Sequence, residues 1–322
     1  VNEFDLIRLI RRAAPAAGAG VALGIGDDAA VLRMAPGYEL AITTDTLVQG
    51  VHYLRSTPAA DLGWKALAVN LSDLAAMGAE PQWALVALTM PAIDPARVRD
   101  FLSGFFRLAR RHQVALVGGD TTRGPPAVTI TALGRVPAGS ALRRDGARIG
   151  DAIYVSGTPG DAAAGLAISQ RRLRGVRADA ASALRARLDR PTPRVALGLA
   201  LRGVATAAID VSDGLAQDLG HVLRASGLGA TLDAGALPTS RALRVAVGDD
   251  RRRHGLQLGG GDDYELLFTV PPRREEKLRA IAARLRVPMT PIGRIVAGRG
   301  LAIRDSEGKL VRLKRGGYDH FA

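Results

Sequence analysis

Aspartates stand at the margins of apolar runs in six places along this 322-residue chain: Asp27/Asp28, Asp45, Asp73, Asp120, Asp210/Asp213 and Asp262/Asp263. Crowded carboxylates repel one another, and a multivalent cation turns that repulsion into attraction. Carboxylate and hydroxyl oxygens are hard ligands, so the cation they point to is magnesium. Several such ions would shield a polyphosphate, and phosphoryl transfer needs shielding and in-line positioning more than covalent help. The densest stretch is LGIGDDAAVLRMAPGYELAITTD, Leu23 to Asp45, which closes on Thr43, Thr44 and Asp45. Its apolar runs, Ala29 to Leu32 and Leu40 to Ile42, flank Pro36 and Gly37. They read as two strands joined by a turn, which would bring Asp27 and Asp28 near Asp45.

The remaining aspartates have different settings. Asp73 lies with Asn70 and Ser72 in a predicted helix, Pro58 to Met77, whose Leu62, Ala66, Leu67, Val69, Leu71 and Leu74 recur at helical spacing. Gly78 and Pro81 end it. A carboxylate in so apolar a helix is costly unless it is paired or metal-bound. Gly118-Gly119-Asp120 follows a predicted strand, Val114 to Val117, and reads as a loop whose amides approach a ligand closely, although plain turns use the same residues. Asp210-Val211-Ser212-Asp213-Gly214 ends another strand, Ala205 to Val211, with Ser212 as candidate cap of a helix burying Leu215, Leu219, Val222 and Leu223. LGGGDDYE, Leu258 to Glu265, precedes a strand, Leu266 to Val270, and repeats the Gly-x-Gly-Asp-Asp of the front. Duplication and convergent loop chemistry account for that repeat equally well.

Competing motifs fail on their residues. Gly24-x-Gly26-x-x-Ala29 imitates a dinucleotide fingerprint, with Asp45 about 20 residues on. Two aspartates, however, occupy the positions that should offer free amides, and Pro36 arrives too soon for a helix. The one Gly-Lys pair, Gly308-Lys309, precedes leucine, so no P-loop is present. The histidines form no close metal pair, and no nucleophile elbow exists. His52 follows the Asp45 strand and is a candidate substrate contact, an ordinary surface or core histidine being the alternative.

The elements that must position these residues alternate between strand and helix. A short helix, Leu6 to Arg12, opens the chain. A strand at Ala84 to Thr89 precedes a helix capped by Asp94 with Pro95 at its first position, running to His112. After a strand at Val128 to Leu133, the pattern weakens around Val136 to Ala147, where a domain boundary is placed. Asp151 to Ser156 begins the second half as a strand, and Gly157 to Asp161 turns it into a helix. A charge-laced helix, Arg273 to Val287, and a hairpin, Leu301 to Leu313, close it. At 47% hydrophobic and 23% charged residues the chain reads as soluble and globular. It shows neither a membrane-length apolar run nor a leader at its start. The absence of cysteine excludes disulfides and thiolate chemistry, and suits a cytoplasmic setting. A net charge of +13, with clusters at Arg171 to Arg177 and Arg251 to Arg253, admits nucleic acid as a partner. Only 4% of the residues are aromatic, which leaves little for base stacking, and a small anionic substrate uses the same field.

Taken in order, GIGDDAAVL, TTDTLVQGVHY, KALAVNLSDLAAMGAEP, GGDTTRGP, DVSDGLAQDLGH, GGDDYELLF and GYDHF span almost the whole chain and resemble bacterial thiamine-monophosphate kinases. The wider kinship is to an ATP-binding superfamily that includes aminoimidazole ribonucleotide synthetase, selenophosphate synthetase and a hydrogenase-maturation dehydratase. The resemblance implies an α/β (α+β) fold of two domains. Residues 1–138 would bind ATP and magnesium and pair their sheet across a homodimer; residues 139–322 would complete the active site. It implies Asp28, Thr43, Thr44, Asp45, Asp73, Asp120, Asp210 and Asp213 as magnesium ligands, and Gly119, Asp120, Arg144 and Ser212 as ATP contacts. His52, Asp262 and Tyr318 would meet thiamine monophosphate. Asp262 stands where the family pattern leads one to expect glutamate, which weakens that one assignment. The implied reaction passes the γ-phosphoryl group of ATP to the phosphate of thiamine monophosphate, with no general base. A sister ATP-dependent enzyme of the same superfamily, or a basic nucleic-acid-binding protein, are the alternatives.

Overall fold

The computed structural model describes residues 3–15, 19–25, 29–305, 307–311 and 317–318. Two compact units divide the chain: Val1–Leu74 with Ala79–Gly139, and Ala75–Gly78 with Ser140–Ala322. No helix among the described residues is long and apolar enough to cross a membrane.

Among the described residues the N-terminal unit contains α1 (Glu3–Ala13), β1 (Val21–Leu23), β2 (Val31–Leu32), β3 (Tyr38–Val48), α2 (Ala59–Ala76), β4 (Glu80–Met90), α3 (Pro95–His112), β5 (Ala115–Arg123) and β6 (Ala127–Pro137). Its main sheet runs β3-β6-β4-β5. The register aligns Asp45 with Ile130 and Ile130 with Val86, and alternation then sorts each strand's side chains into two faces. On one face Ala84, Val86, Leu88, Val128, Ile130 and Ala132 are buried. That is the α2 side, because Thr43 of the same face touches Asp73 of α2. The other face is covered at one end by the β1–β2 ribbon, where Val21, Leu32 and Met34 pack on Trp83 and Leu133. Its remainder is bare: Leu40 is 45% and Ile42 60% exposed. Asp94 caps α3 as its type predicts, accepting the N–H groups of Ala96 and Arg97 at 3.0 and 3.2 Å.

Two expectations are corrected here. The runs before and after Pro36-Gly37 do not pair: β2 joins β1 and β3 joins β6. An 11-residue β3 is satisfied by an 11-residue partner, whereas β2 offers two residues. Nor is Gly118-Gly119-Asp120 a loop, since β5 continues through it in parallel with β4 to Arg123. Gly119 makes that pairing possible. Its φ is +154°, and a Cβ there would lie 1.9 Å from the Val86 carbonyl oxygen.

The C-terminal unit contains β7 (Ala152–Ser156), α4 (Asp161–Ser169), α5 (Ala178–Asp189), α6 (Val195–Leu201), β8 (Ala207–Val211), α7 (Leu215–Ser226), β9 (Gly229–Asp233), α8 (Arg241–Ala246), α9 (Asp250–Gly259), β10 (Glu265–Val270), α10 (Glu275–Leu285), β11 (Met289–Val296) and β12 (Gly300–Arg304). Its sheet runs β12-β9-β11-β7-β10-β8, with only the β12–β9 pair parallel. Ile153, Val155, Ile209, Val211 and Leu267 share a core with Leu215, Leu219, Val222 and Leu223 of α7. The expected terminal hairpin is partial. β12 finds its strand partner in β9, and the chain then doubles back so that the Val311 N–H reaches the Ile303 carbonyl at 2.9 Å.

Candidate active site

The site residues inferred from the sequence divide between the two units. In the N-terminal unit, Thr43 Oγ1 donates to Asp73 Oδ2 at 2.5 Å. Asp73 occupies the last turn of α2, where the helix dipole disfavours negative charge. Its carboxylate therefore needs an external partner, and the β3 hydroxyl is one. Asp45 lies two residues along β3 from Thr43 and so on the same face. These hydroxyl and carboxylate oxygens are the donor type magnesium takes. Asn70 does not join them: its Nδ2 donates to the Ala66 carbonyl at 3.0 Å within its own helix, and its buried Oδ1 has no hydrogen-bond partner among the described residues.

Other residues fall elsewhere. Thr44 turns to the bare face, where its hydroxyl meets Thr131 Oγ1 at 3.1 Å and the Ile130 carbonyl at 3.2 Å. Asp120 is level with Ala87, Thr129 and Thr46, in a row on that bare face. Three strand spacings, about 14 Å, separate it from β3, so one copy of this sheet does not bring Asp120 to Asp45. His52 is fixed in the turn after β3, where its Nδ1 accepts the Val48 N–H at 2.9 Å and its carbonyl lies 3.4 Å from Lys65 Nζ. An accepting Nδ1 assigns the proton of the neutral ring to Nε2. Lys65 is 2% exposed in α2; it stands three residues after Leu62 and four before Val69, so helical spacing places it on the apolar stripe. Asp28, with Asp27, lies outside the described residues. Among the described residues no group of three His, Asp or Glu side chains is placed to hold a metal ion.

In the C-terminal unit the loop after β8 collects residues from three parts of the chain. Asp210 is buried in β8, on the opposite face to the core residues Ile209 and Val211. The Asp262 N–H donates to the Ser212 carbonyl at 2.8 Å, and the Tyr318 N–H to the Asp213 carbonyl at 3.0 Å. Gln217 ties the same pieces together, its Nε2 donating to the Tyr318 carbonyl at 2.8 Å and lying 3.4 Å from Asp213 Oδ2. Close approach of the acidic loop depends on Gly261, where a Cβ would stand 2.4 Å from the Ser212 carbonyl oxygen. Arg144 is exposed and accepts the Ser226 hydroxyl on its carbonyl at 3.0 Å. Burial, then the charges of Arg224 and Arg144, hold the His221 imidazole below its usual range, while Asp213 acts the other way. Arg144, His221 and Asp213 therefore share one electrostatic neighbourhood.

Ser212 is not the helix cap. Gly214 occupies that position without a side-chain bond, and the loop is held instead by Asp218. One oxygen, Asp218 Oδ2, accepts the N–H groups of Ser212, Asp213 and Gly214 at 3.1, 3.2 and 3.1 Å. Burial pushes the Asp218 carboxyl up to about 7 and the Asp213 charge adds to it, against the lowering effect of the amide bonds. The adjacent acids of the second Gly-Asp-Asp also part company. Asp263 is buried and accepts the Gly160 and Ala162 N–H groups at 2.7 and 3.3 Å, which fastens the glycine turn before α4. Glu265 is fully buried, gripped by Arg194 through two bonds of 2.6 Å, by Arg187 at 2.7 Å and by the Ser156 hydroxyl at 2.6 Å. Sequence reasoning missed Asp218, Glu265 and both arginines. For Asp218 the signal was an acid in the first turn of a helix that follows glycine.

Models of AIR synthase related protein match this chain with the N-terminal domain over residues 26–136 and the C-terminal domain over 148–306. A thiamine-monophosphate kinase of Salmonella typhimurium is 49% identical over 323 residues, covering 100% of this chain and 98% of the relative. The crystal structure of thiamine-monophosphate kinase from Stenotrophomonas maltophilia superposes with a TM-score of 0.88 at 48% identity, covering 97% of this chain and 98% of the other. A solved complex of AaThiL with AMPPCP and TMP superposes with a TM-score of 0.79 at 32% identity, covering 99% and 97%. With a two-domain architecture of this kind and identity sustained over its whole length, the chain belongs to the thiamine-monophosphate kinase family.

Proposed function

We propose that this protein transfers the γ-phosphoryl group of ATP to the phosphate of thiamine monophosphate, forming thiamine diphosphate and ADP. The observation that carries the reading is the 210–214 loop, on which Asp210, Ser212, Asp213, Asp262 and Tyr318 converge. Residues 1–138 form the ATP- and magnesium-binding and dimerisation domain in this reading, and 139–322 complete the site. Gly119, Asp120, Arg144 and Ser212 contact ATP, while His52, Asp262 and Tyr318 contact thiamine monophosphate.

Asp28, Thr43, Thr44, Asp45, Asp73, Asp120, Asp210 and Asp213 would hold magnesium, and the Thr43–Asp73 contact supports an oxygen-donor site in the N-terminal unit. When bound, the ions offset the charge of the two phosphates that must meet. The acceptor needs no general base, because a phosphate monoester with a second pKa near 6 is already largely anionic at neutral pH. The chain's own part is therefore positioning: Asp218 fixes the backbone of Ser212 and Asp213, and the Asp73 carboxylate is oriented by Thr43. Homodimerisation through the bare sheet face is supported by the exposure of Leu40 and Ile42 on an edge strand. A cytoplasmic setting completes the reading.

The test is thiamine diphosphate formation from thiamine monophosphate, ATP and magnesium, against an EDTA control. Metal-dependent product is expected, and Asp45→Asn and Asp73→Asn proteins should lose turnover while keeping their circular dichroism. Normal turnover in either variant would overturn the metal site. Nucleotide binding without product would move the substrate to a sister enzyme's.

A further inference from the structure

The acidic loop before β10 contains two backbone outliers, Asp262 at φ +69° and Tyr264 at φ +51°. Aspartate enters the left-handed region far more readily than most residues, whereas a bulky tyrosine rarely does. Such conformations persist only where the surroundings over-determine them, and they collect at ligand-binding sites. Here the constraints are visible. The Asp262 and Tyr264 N–H groups donate to the Ser212 and Val211 carbonyls, each at 2.8 Å, and between them Asp263 is drawn inward to Gly160 and Ala162. The outcome is that the Tyr264 side chain, 8% exposed, folds back so that its hydroxyl donates to Asp262 Oδ1 at 3.1 Å.

We propose that Tyr264 is a positioning residue for the substrate, acting through Asp262. A hydroxyl on one carboxylate oxygen fixes the plane of Asp262, whose backbone N–H is bonded to Ser212 of the same 210–214 loop that takes the Tyr318 N–H on Asp213. An oriented carboxylate recognises an N–H donor or a cation and repels phosphate. In thiamine monophosphate it therefore faces the aminopyrimidine and thiazolium end, which leaves the phosphate to the rest of the site. Left-handed backbone at 262 also gives a reason for aspartate there, since glutamate gains nothing comparable from that conformation. This inference rests on the kinase reading above.

The experiment compares wild type with Tyr264→Phe, which removes the hydroxyl and keeps the buried ring. The KM for thiamine monophosphate should rise about tenfold, the scale of a lost hydrogen bond to a charged acceptor. The KM for ATP, kcat and the melting temperature should stay near wild type. In an Asp262→Asn background the same substitution should add little, because the two act as one unit. An unchanged KM for thiamine monophosphate overturns the proposal. So does a parallel loss in kcat, both KM values and melting temperature, which assigns Tyr264 to structure alone. Calorimetric titration of thiamine monophosphate into wild type separates the two levels: binding weakened in Tyr264→Phe supports the positioning role even if turnover belongs to another acceptor. Wild type that binds no thiamine monophosphate overturns both readings.

Discussion

Replacing Asp218 by asparagine should change how the stability of this protein depends on pH. The carboxyl is 2% exposed, and burial pushes its folded value to about 7 from an ordinary 3.8. A raised acid value means that the folded state holds the proton more tightly than the unfolded one. The stabilising effect is therefore complete below 3.8 and is lost as pH rises towards about 7. At about 1.4 kcal/mol per pH unit, the part lost between pH 5 and pH 8 is about 3 kcal/mol. Asparagine keeps an oxygen for the three loop amides but cannot ionise, so this component vanishes. Asp161 and Asp263, whose carboxyls are also raised by burial, are common to both proteins and cancel in the difference. Urea unfolding at pH 5 and pH 8, followed by far-UV circular dichroism with EDTA present, measures it. Fluorescence would be a poor probe, because Trp64 and Trp83 both belong to the N-terminal unit. Wild type should lose about 3 kcal/mol more than Asp218→Asn across that interval. Parallel pH dependence would show that three amide bonds keep the carboxylate ionised in the folded protein, and would refute the reasoning.

Arg194→Ala should destabilise the C-terminal unit by about 3 kcal/mol or more, since Glu265 would remain fully buried with Arg187 as its one cation among the described residues; urea unfolding reads the loss, and a cost below about 1 kcal/mol would contradict it. Gly119→Ala should lower the melting temperature by at least about 5 °C, because the new Cβ meets the Val86 carbonyl oxygen at 1.9 Å; scanning calorimetry checks it. The homodimer proposed above predicts that wild type sediments as a dimer and that a Leu40→Glu, Ile42→Glu double variant, which places charge on the bare sheet face, sediments as a monomer at the same concentration; a monomeric wild type would overturn that proposal.

Much of this protein was legible from its residues. The helical period of α2 and the Asp94-Pro95 start of α3 are local signals, since a helix satisfies its hydrogen bonds within a few residues. The order of the acidic motifs sufficed to identify the family, because a ligand site constrains residue types at many separated positions at once. What the chain alone did not decide is strand partnership. β3 pairs with β6, whose residues lie 79 to 99 positions away, and no local feature distinguishes that partner from the neighbouring β2. The same limit hid the division of labour between Asp262 and Asp263. Adjacent and chemically identical, they differ only because the left-handed backbone at 262 keeps one at the loop with Tyr264 and turns the other towards the α4 amides. Residue type supplied the chemistry available to the site. Long-range packing, which sets each φ and the polar partners each acid meets, decided which carboxylates were left to perform it.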